Sequence, residues 1–139
     1  LYFSKFYLIH FSLLLYPYMP NNHDVCRLKA DLFLSLHCNH SDNPNARGVE
    51  VYVTNAESKY SDDSTWFAFQ VQAALNKELG YESRGVKFAN FQVLRETVDV
   101  CTSVLIELGF LSNKDEGNYI SNSNNIQLIA TAILLSIQN

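Results

Sequence analysis

The sequence lacks the excess of positive charge that marks most nucleic-acid-binding proteins. Its 139 residues contain 10 Lys and Arg against 14 Asp and Glu, which gives a formal net charge of −4. A protein that binds the nucleic-acid backbone normally presents a basic face, so this balance argues against a nucleic-acid partner. There are only three cysteines, Cys26, Cys38 and Cys101, and no C-x-x-C spacing that would indicate a metal or redox motif.

The sequence also lacks an apolar run long enough to cross a membrane. The most apolar stretch, Phe6 to Tyr16, is too short to span a bilayer and contains His10. The first twenty residues have no small-residue cleavage site of the kind that follows a signal peptide. We therefore predict no membrane span, and we treat residues 1–24 as an atypical N-terminal segment ahead of a single domain over residues 25–139.

Three apolar segments predict buried strands. Ala30 to His37 is a short run rich in Leu and Phe, Gly48 to Thr54 alternates apolar and polar side chains, and Ser103 to Leu108 reads as a central strand. The polar residues from Asn39 to Gly48 indicate a loop, and Tyr81 to Lys87 is interpreted as a polar connection.

Apolar residues at helical spacing predict two longer helices. The first runs from about Ser64 to Leu79, with Gly80 as its C-terminal cap, and the second begins near Asn124 or Asn125 and continues to the C-terminus. Asn113 followed by Glu116 resembles a capping box that opens a short helix. Alternating strands and helices predict an α/β fold, a central mostly parallel twisted sheet flanked by helices and incomplete at the N-terminus.

Two ionisable residues stand out as candidates for chemistry. His37 ends a predicted strand, and ligands of open α/β sheets bind beyond the carboxyl ends of strands. Imidazole is a ligand that zinc prefers, although a structural histidine at this position is the commoner case. Glu107 lies in the apolar run SVLIEL, where burial costs several kcal/mol unless the carboxylate is paired, so it is either functional or exposed at a sheet edge. His40 is expected to be a solvent-facing loop residue.

Four motifs, in order along the chain, resemble the zinc-dependent N-acetylmuramoyl-L-alanine amidases. ADLFLSLHCN is similar to a strand of that family that ends in a histidine ligand, and GVEVYV is similar to the strand that follows it. RGVKFANFQVLRET resembles the family's Arg-Gly-Val-Lys segment, and VLIELGFLSNKDE resembles the stretch that carries its catalytic glutamate. The resemblance covers residues 25–139, which would be the C-terminal part of an amidase catalytic domain.

The resemblance implies a peptidoglycan hydrolase that cuts the amide bond between N-acetylmuramic acid and L-alanine. In such enzymes two histidines and a glutamate hold Zn²⁺, and a separate glutamate serves as base and acid. Carried over to this chain, His37 is the third metal ligand and Glu107 is the catalytic glutamate. Asn39, Arg84 and Lys87 are weaker candidates for binding substrate. An extracellular or periplasmic location follows from the substrate.

The sequence departs from the family in its N-terminal part. No Gly-His-Gly occurs, and no Glu precedes Glu50, so the other two metal ligands of the family have no counterpart here. The leading interpretation is an N-terminally truncated amidase that is inactive by itself. The alternative is an inactive relative that acts as a peptidoglycan-binding module. In either case the edge of the sheet left open would aggregate or be covered by the Phe- and Tyr-rich start.

Overall fold

A computed structural model describes residues 9–11 and 29–137, and the remainder of the atypical N-terminal segment lies outside the described residues. The strands are β1 (Ile9–Phe11), β2 (Leu32–Asn39), β3 (Val49–Val53), β4 (Ser83–Phe88) and β5 (Thr102–Phe110). The helices are α1 (Ser61–Leu79), α2 (Gln92–Thr97), α3 (Lys114–Ile120) and α4 (Ser123–Ile137). Among the described residues, every helix is too short or too polar to span a bilayer.

The strands form one mixed sheet in the order β1-β2-β5-β3-β4. β1, β2 and β5 run parallel to one another, and β3 and β4 also run parallel, but β3 is antiparallel to β5. The predicted mostly parallel α/β sheet is therefore confirmed. The described Ile9–Phe11 segment pairs with β2, so part of the N-terminal segment does cover that edge.

Apolar side chains pack on both faces of the sheet because its central strands are buried on both sides. On one face, Leu34, Val51 and Ile106 pack with residues of α1 and α4 in the main hydrophobic core. On the other face, Phe33 and Leu105 pack with Val93 and Leu94 of α2 in a smaller core. Beyond the smaller core on that face, His37 of β2 and Glu107 of β5 are only half-buried, and they lie beside the start of β3.

Several element boundaries follow the sequence patterns closely. α1 begins three residues earlier than predicted and ends at Gly80, whose φ of +69° is a left-handed cap. Asn113 caps α3 by accepting hydrogen bonds from the backbone N–H groups of Asp115 and Glu116. In α4 the buried face is built on Ile129 and Ile133, whereas Leu134 is 54% exposed.

The interpretation of Tyr81 to Lys87 as a polar connection was wrong, because β4 occupies Ser83–Phe88. β4 is the edge strand next to β3, and its charged side chains point into solvent or the site described below rather than into the core. An edge strand can carry polar residues that a central strand cannot, so its composition resembled that of a loop.

Candidate active site

His37 and Glu107 lie side by side in the sheet. They are register partners on the neighbouring parallel strands β2 and β5. Register partners project from the same face of a sheet, so both half-buried side chains face the same side. The register of β2 and β5 thus places both side chains where they could border one cleft. The Nε2 atom of His37 is 2.8 Å from the hydroxyl oxygen of Ser35, the preceding residue on that face of β2.

Glu107 lies on the middle strand of the sheet, so the alternative of an edge-exposed glutamate was wrong. Its Oε2 atom is buried and has no hydrogen-bond partner among the described residues. Burial raises the pKa of Glu107, and repulsion from the carboxylate of Glu50 raises it further, to about 7. A carboxyl with a pKa near neutrality can both accept and donate a proton at neutral pH, as an acid–base catalyst must.

Glu50 is the residue that the sequence analysis missed. It is the register partner of Glu107 on the other side, so His37, Glu107 and Glu50 form a row across β2, β5 and β3. β3 is antiparallel to β5, and therefore the start of β3 lies beside the end of β5. The alternation in GVEVYV correctly indicated a strand with Glu50 on its polar face, but only the sheet order shows that this face borders Glu107.

The Glu50 cluster consists of Glu50 and the four side chains that bind it: Asn39, Tyr52, Arg84 and Lys87. The Nε of Arg84 and the Nζ of Lys87 donate to Oε1 of Glu50 at 2.7 and 2.6 Å. The hydroxyl of Tyr52 and the Nδ2 of Asn39 donate to Oε2 at 2.6 and 3.2 Å. All three residues expected to shape the substrate groove thus contact one buried carboxylate, which is 3% exposed.

The cluster keeps Glu50 ionised although it is buried. Burial alone would raise its pKa, but the hydrogen bonds from Lys87, Tyr52 and Arg84 outweigh that effect and lower the pKa from 4.5 to about 2. The same contact raises the pKa of the Arg84 guanidinium. Glu50 and Glu107 therefore sit in neighbouring positions with opposite proton affinities, one ionised throughout the physiological range and the other titrating within it.

The two cations of the Glu50 cluster also lie against aromatic rings. The guanidinium of Arg84 is 5.2 Å from the ring centre of Phe110, and the ammonium of Lys87 is 5.8 Å from that of Tyr52. Such contacts restrain a long side chain while leaving its charge accessible. Both side chains are 37% exposed.

Glu116 fixes the end of the sheet where these residues meet. Its Oε1 accepts from the backbone N–H of Gly48 and its Oε2 from that of Phe110, both at 2.8 Å. The carboxylate thereby ties the start of β3 to the end of β5, rather than closing the capping box that its spacing from Asn113 suggested. Gly109 makes room for it, because a Cβ there would lie 3.0 Å from Oε2 of Glu116.

The described residues do not by themselves form a metal site. Within residues 29–137, no three His, Cys, Asp or Glu side chains converge on a point that one ion could occupy. His40 is exposed in the loop after β2, as expected, and its backbone N–H donates to Oδ1 of Asn39. A catalytic zinc site uses three protein ligands, so His37 alone does not satisfy it.

Comparison with known proteins places this chain in a family. Residues 22–139 match the family described as N-acetylmuramoyl-L-alanine amidase. An uncharacterized cell wall amidase of Bacillus anthracis is 38% identical over 113 residues, which are 78% of this chain and 21% of that protein. The chain thus spans about a fifth of that relative, and 35% of a probable cell wall amidase of Staphylococcus epidermidis that is 34% identical.

Solved amidase structures share the fold. An N-acetylmuramoyl-L-alanine amidase from Clostridium difficile 630 is 31% identical, with a TM-score of 0.72 over 86% of this chain and 64% of that one. The CwlD amidase from Clostridioides difficile, solved in complex with the GerS lipoprotein, is 26% identical, with a TM-score of 0.75 over 84% of this chain and 57% of that one.

Proposed function

Because the chain belongs to the N-acetylmuramoyl-L-alanine amidase family, we propose that its site hydrolyses the amide bond between N-acetylmuramic acid and the L-alanine of the peptidoglycan stem peptide. The observation that carries this proposal is the placement of Glu107. It is a half-buried acid with a pKa of about 7, in register with His37 and open to the same face of the sheet. Its substrate would place the protein outside the cytoplasm, in the cell wall or periplasm.

Glu107 acts as the general base and then as the general acid. Ionised Glu107 takes a proton from the water whose oxygen attacks the lactyl carbonyl carbon. The carbon–nitrogen bond then breaks, and protonated Glu107 gives the proton to the leaving nitrogen, which yields a carboxylic acid and a free amine. A positioned acid–base group of this kind contributes roughly 10²- to 10⁴-fold in rate.

His37 is proposed as one ligand of the Zn²⁺ that the family's chemistry implies. The described residues do not supply a complete set of zinc ligands. The prediction for His37 is therefore tested by metal content rather than by rate.

The test compares the chain alone with the chain joined to the N-terminal segment of a family member, in both cases with Glu107→Gln and the matched control Glu96→Gln. Glu96 is a partly exposed residue of α2, and its Oε1 accepts a hydrogen bond from the Nε2 of Gln92. Release of new amino groups from purified peptidoglycan is measured with and without added zinc. We expect the joined wild type and Glu96→Gln to be active and Glu107→Gln to lose at least about 100-fold. Unchanged activity of Glu107→Gln would remove its assigned role.

Zinc content distinguishes the role of His37 as a metal ligand from that of Glu107 as the base. His37→Ala should reduce the zinc bound by the joined protein, and Glu107→Gln should leave it unchanged, because the base is not a ligand. If the joined protein binds purified peptidoglycan without chelator sensitivity and never releases amino groups, the hydrolase proposal is wrong and the binding-module alternative replaces it.

A further inference from the structure

We propose that Glu50 is a positioning residue that sets Arg84 and Lys87 as a pair for binding a carboxylate of the substrate's peptide. This inference rests on the proposed function and names the chemistry of one part of its substrate. It gives Glu50 a role separate from that of Glu107, its register partner.

The contacts show that Glu50 is fully used by the protein. Each of its two oxygens accepts two hydrogen bonds, from Arg84 and Lys87 at Oε1 and from Tyr52 and Asn39 at Oε2. With 3% exposure it has no surface left for a ligand. Glu50 therefore acts on the substrate only through its partners.

The two cations, in contrast, have donors to spare. Arg84 uses its Nε for Glu50 and one Nη1–H, at 3.3 Å, for the carbonyl oxygen of Arg47, which leaves its other N–H groups for a ligand. Lys87 uses one of its ammonium hydrogens in the described contacts. One negative charge and two positive charges give this trio a net charge of +1. A single carboxylate would complement that charge and those donors.

A role in stability alone explains the cluster less well. Burying an ion pair costs about as much desolvation energy as the pairing returns, so apolar residues would stabilise the same position equally. The cluster instead holds two long side chains, each with considerable rotational freedom, in one arrangement beside Glu107. Ordering the binding groups before the ligand arrives reduces the entropy lost on binding.

The test uses the chain as it is and two probes that differ in one group. One probe is an N-acetylmuramoyl-L-alanyl peptide with a free C-terminal carboxylate, and the other is the same peptide with a C-terminal amide. Dissociation constants are measured by calorimetry for the wild type, Glu50→Gln, Arg84→Gln and Lys87→Gln. The matched control is Glu82→Gln, since Glu82 lies two residues before Arg84, is 60% exposed and pairs only weakly with Arg47 at 3.8 Å.

We expect the wild type and Glu82→Gln to prefer the carboxylate probe by about 10-fold, the value of one charge-assisted hydrogen bond or more. Arg84→Gln, Lys87→Gln and Glu50→Gln should each lose most of that preference and bind the amide probe as the wild type does. Gln at position 50 can still accept from the cations and donate to the Tyr52 hydroxyl oxygen, so we expect this variant to fold. If Glu50→Gln does not fold, Arg84→Gln and Lys87→Gln, which change partly exposed side chains, still test whether these two cations bind the carboxylate.

The sign of the Glu50→Gln effect is decisive. If Glu50 acted only by its charge, its removal would raise the net charge of the cluster and tighten binding of the carboxylate probe, which would overturn the positioning role. Equal weakening towards both probes would indicate a general structural defect and would also overturn it. An absence of preference in the wild type would refute the inference while leaving hydrolysis untouched. A preference in this chain, together with a joined protein that never releases amino groups from peptidoglycan, would refute the proposed hydrolysis and leave this inference standing.

Discussion

Replacement of Glu116 by Ala would leave two backbone N–H groups without acceptors. Glu116 is 5% exposed, and each of its oxygens accepts from one main-chain donor at 2.8 Å, those of Gly48 and Phe110. A buried donor deprived of its partner costs roughly 1–3 kcal/mol, and more when the lost acceptor carried a charge. We therefore expect Glu116→Ala to lower the free energy of unfolding by about 3–5 kcal/mol, a large part of the stability of a domain this size.

Glu116→Gln provides an internal scale for that estimate. The glutamine keeps one acceptor oxygen but turns its NH₂ group towards the other backbone donor, so one of the two hydrogen bonds is lost. The expected cost is about half that of the alanine variant, roughly 1.5–3 kcal/mol. Asp115→Ala is the matched control, since Asp115 is the exposed neighbour in the same turn of α3.

The measurement is urea unfolding followed by circular dichroism, with all variants compared at the same pH and the slope with urea checked for constancy. We expect Asp115→Ala to remain within about 0.5 kcal/mol of the wild type, as surface substitutions usually do. If Glu116→Ala were no less stable than Asp115→Ala, the assignment of Glu116 as the tie between β3 and β5 would be wrong.

Three further predictions concern the same region. Glu107→Gln should stabilise the protein at pH 8. The pKa of Glu107 is raised from 4.5 to about 7 in the folded protein, so its contribution to stability is full below pH 4.5 and is lost as the pH rises through 7. Solvent screening of this half-buried group limits the gain in the free energy of unfolding to about 1–2 kcal/mol, which is measured by comparing thermal melts at pH 5 and pH 8. Glu50 should behave oppositely: its pKa is lowered to about 2, so its contribution is present above 4.5 and is lost as the pH falls towards 2. The lowered pKa of Glu50 corresponds to about 3 kcal/mol in the free energy of unfolding, which is reduced to roughly 1–2 kcal/mol because the cationic partners of Glu50 face solvent. When the free energy of unfolding is followed to low pH, Glu50→Gln should lack this loss of stability. Gly109→Ala should cost about 1–3 kcal/mol in urea unfolding, because φ is +127° and the new Cβ would lie 3.0 Å from Oε2 of Glu116; a variant as stable as the wild type would contradict the strain.

The sequence predicted the central elements because their local patterns agree with their place in the fold. The run from Ala30 to His37 and that from Ser103 to Leu108 are apolar on both faces, as strands covered on both sides must be, and they became β2 and β5. The helical spacing after Thr65 and the cap at Gly80 identified α1 in the same way. His37 and Glu107 were singled out separately, and only the resemblance to the amidases assigned them to one site; the register of β2 and β5 places them side by side.

The sequence could not predict which strands lie on either side of β3. Glu50 belongs to the site only because β3 inserts between β5 and β4 and runs antiparallel to β5, and neither the order nor the direction of strands is encoded in a local pattern. β4 was missed for a related reason, since the charges of Arg84 and Lys87 are tolerated in an edge strand by pairing with Glu50. Long-range pairing, rather than local propensity, determines both features.

Glu116 shows how one residue can satisfy a local pattern for a non-local reason. Its spacing from Asn113 suggested the reciprocal contact of a capping box, and Asn113 does cap α3. The Glu116 carboxylate nevertheless binds two backbone groups distant from the cap. The sequence pattern predicted the helix start correctly but not the partner of the glutamate.

The connection from β2 to β3 leaves the sheet after Asn39 and returns at Gly48, so both of its ends lie at the site. Its ends are anchored independently of its interior, because the backbone N–H of Leu111 donates to the carbonyl oxygen of Asn39 and Glu116 accepts from Gly48. Lengthening such a tethered loop costs little chain entropy. Residues inserted between these anchors would raise the rim of the cleft beside His37 and Glu107 while both ends of the loop stay fixed. A change in the length of this loop would therefore alter the size of the molecule that fits above these two side chains.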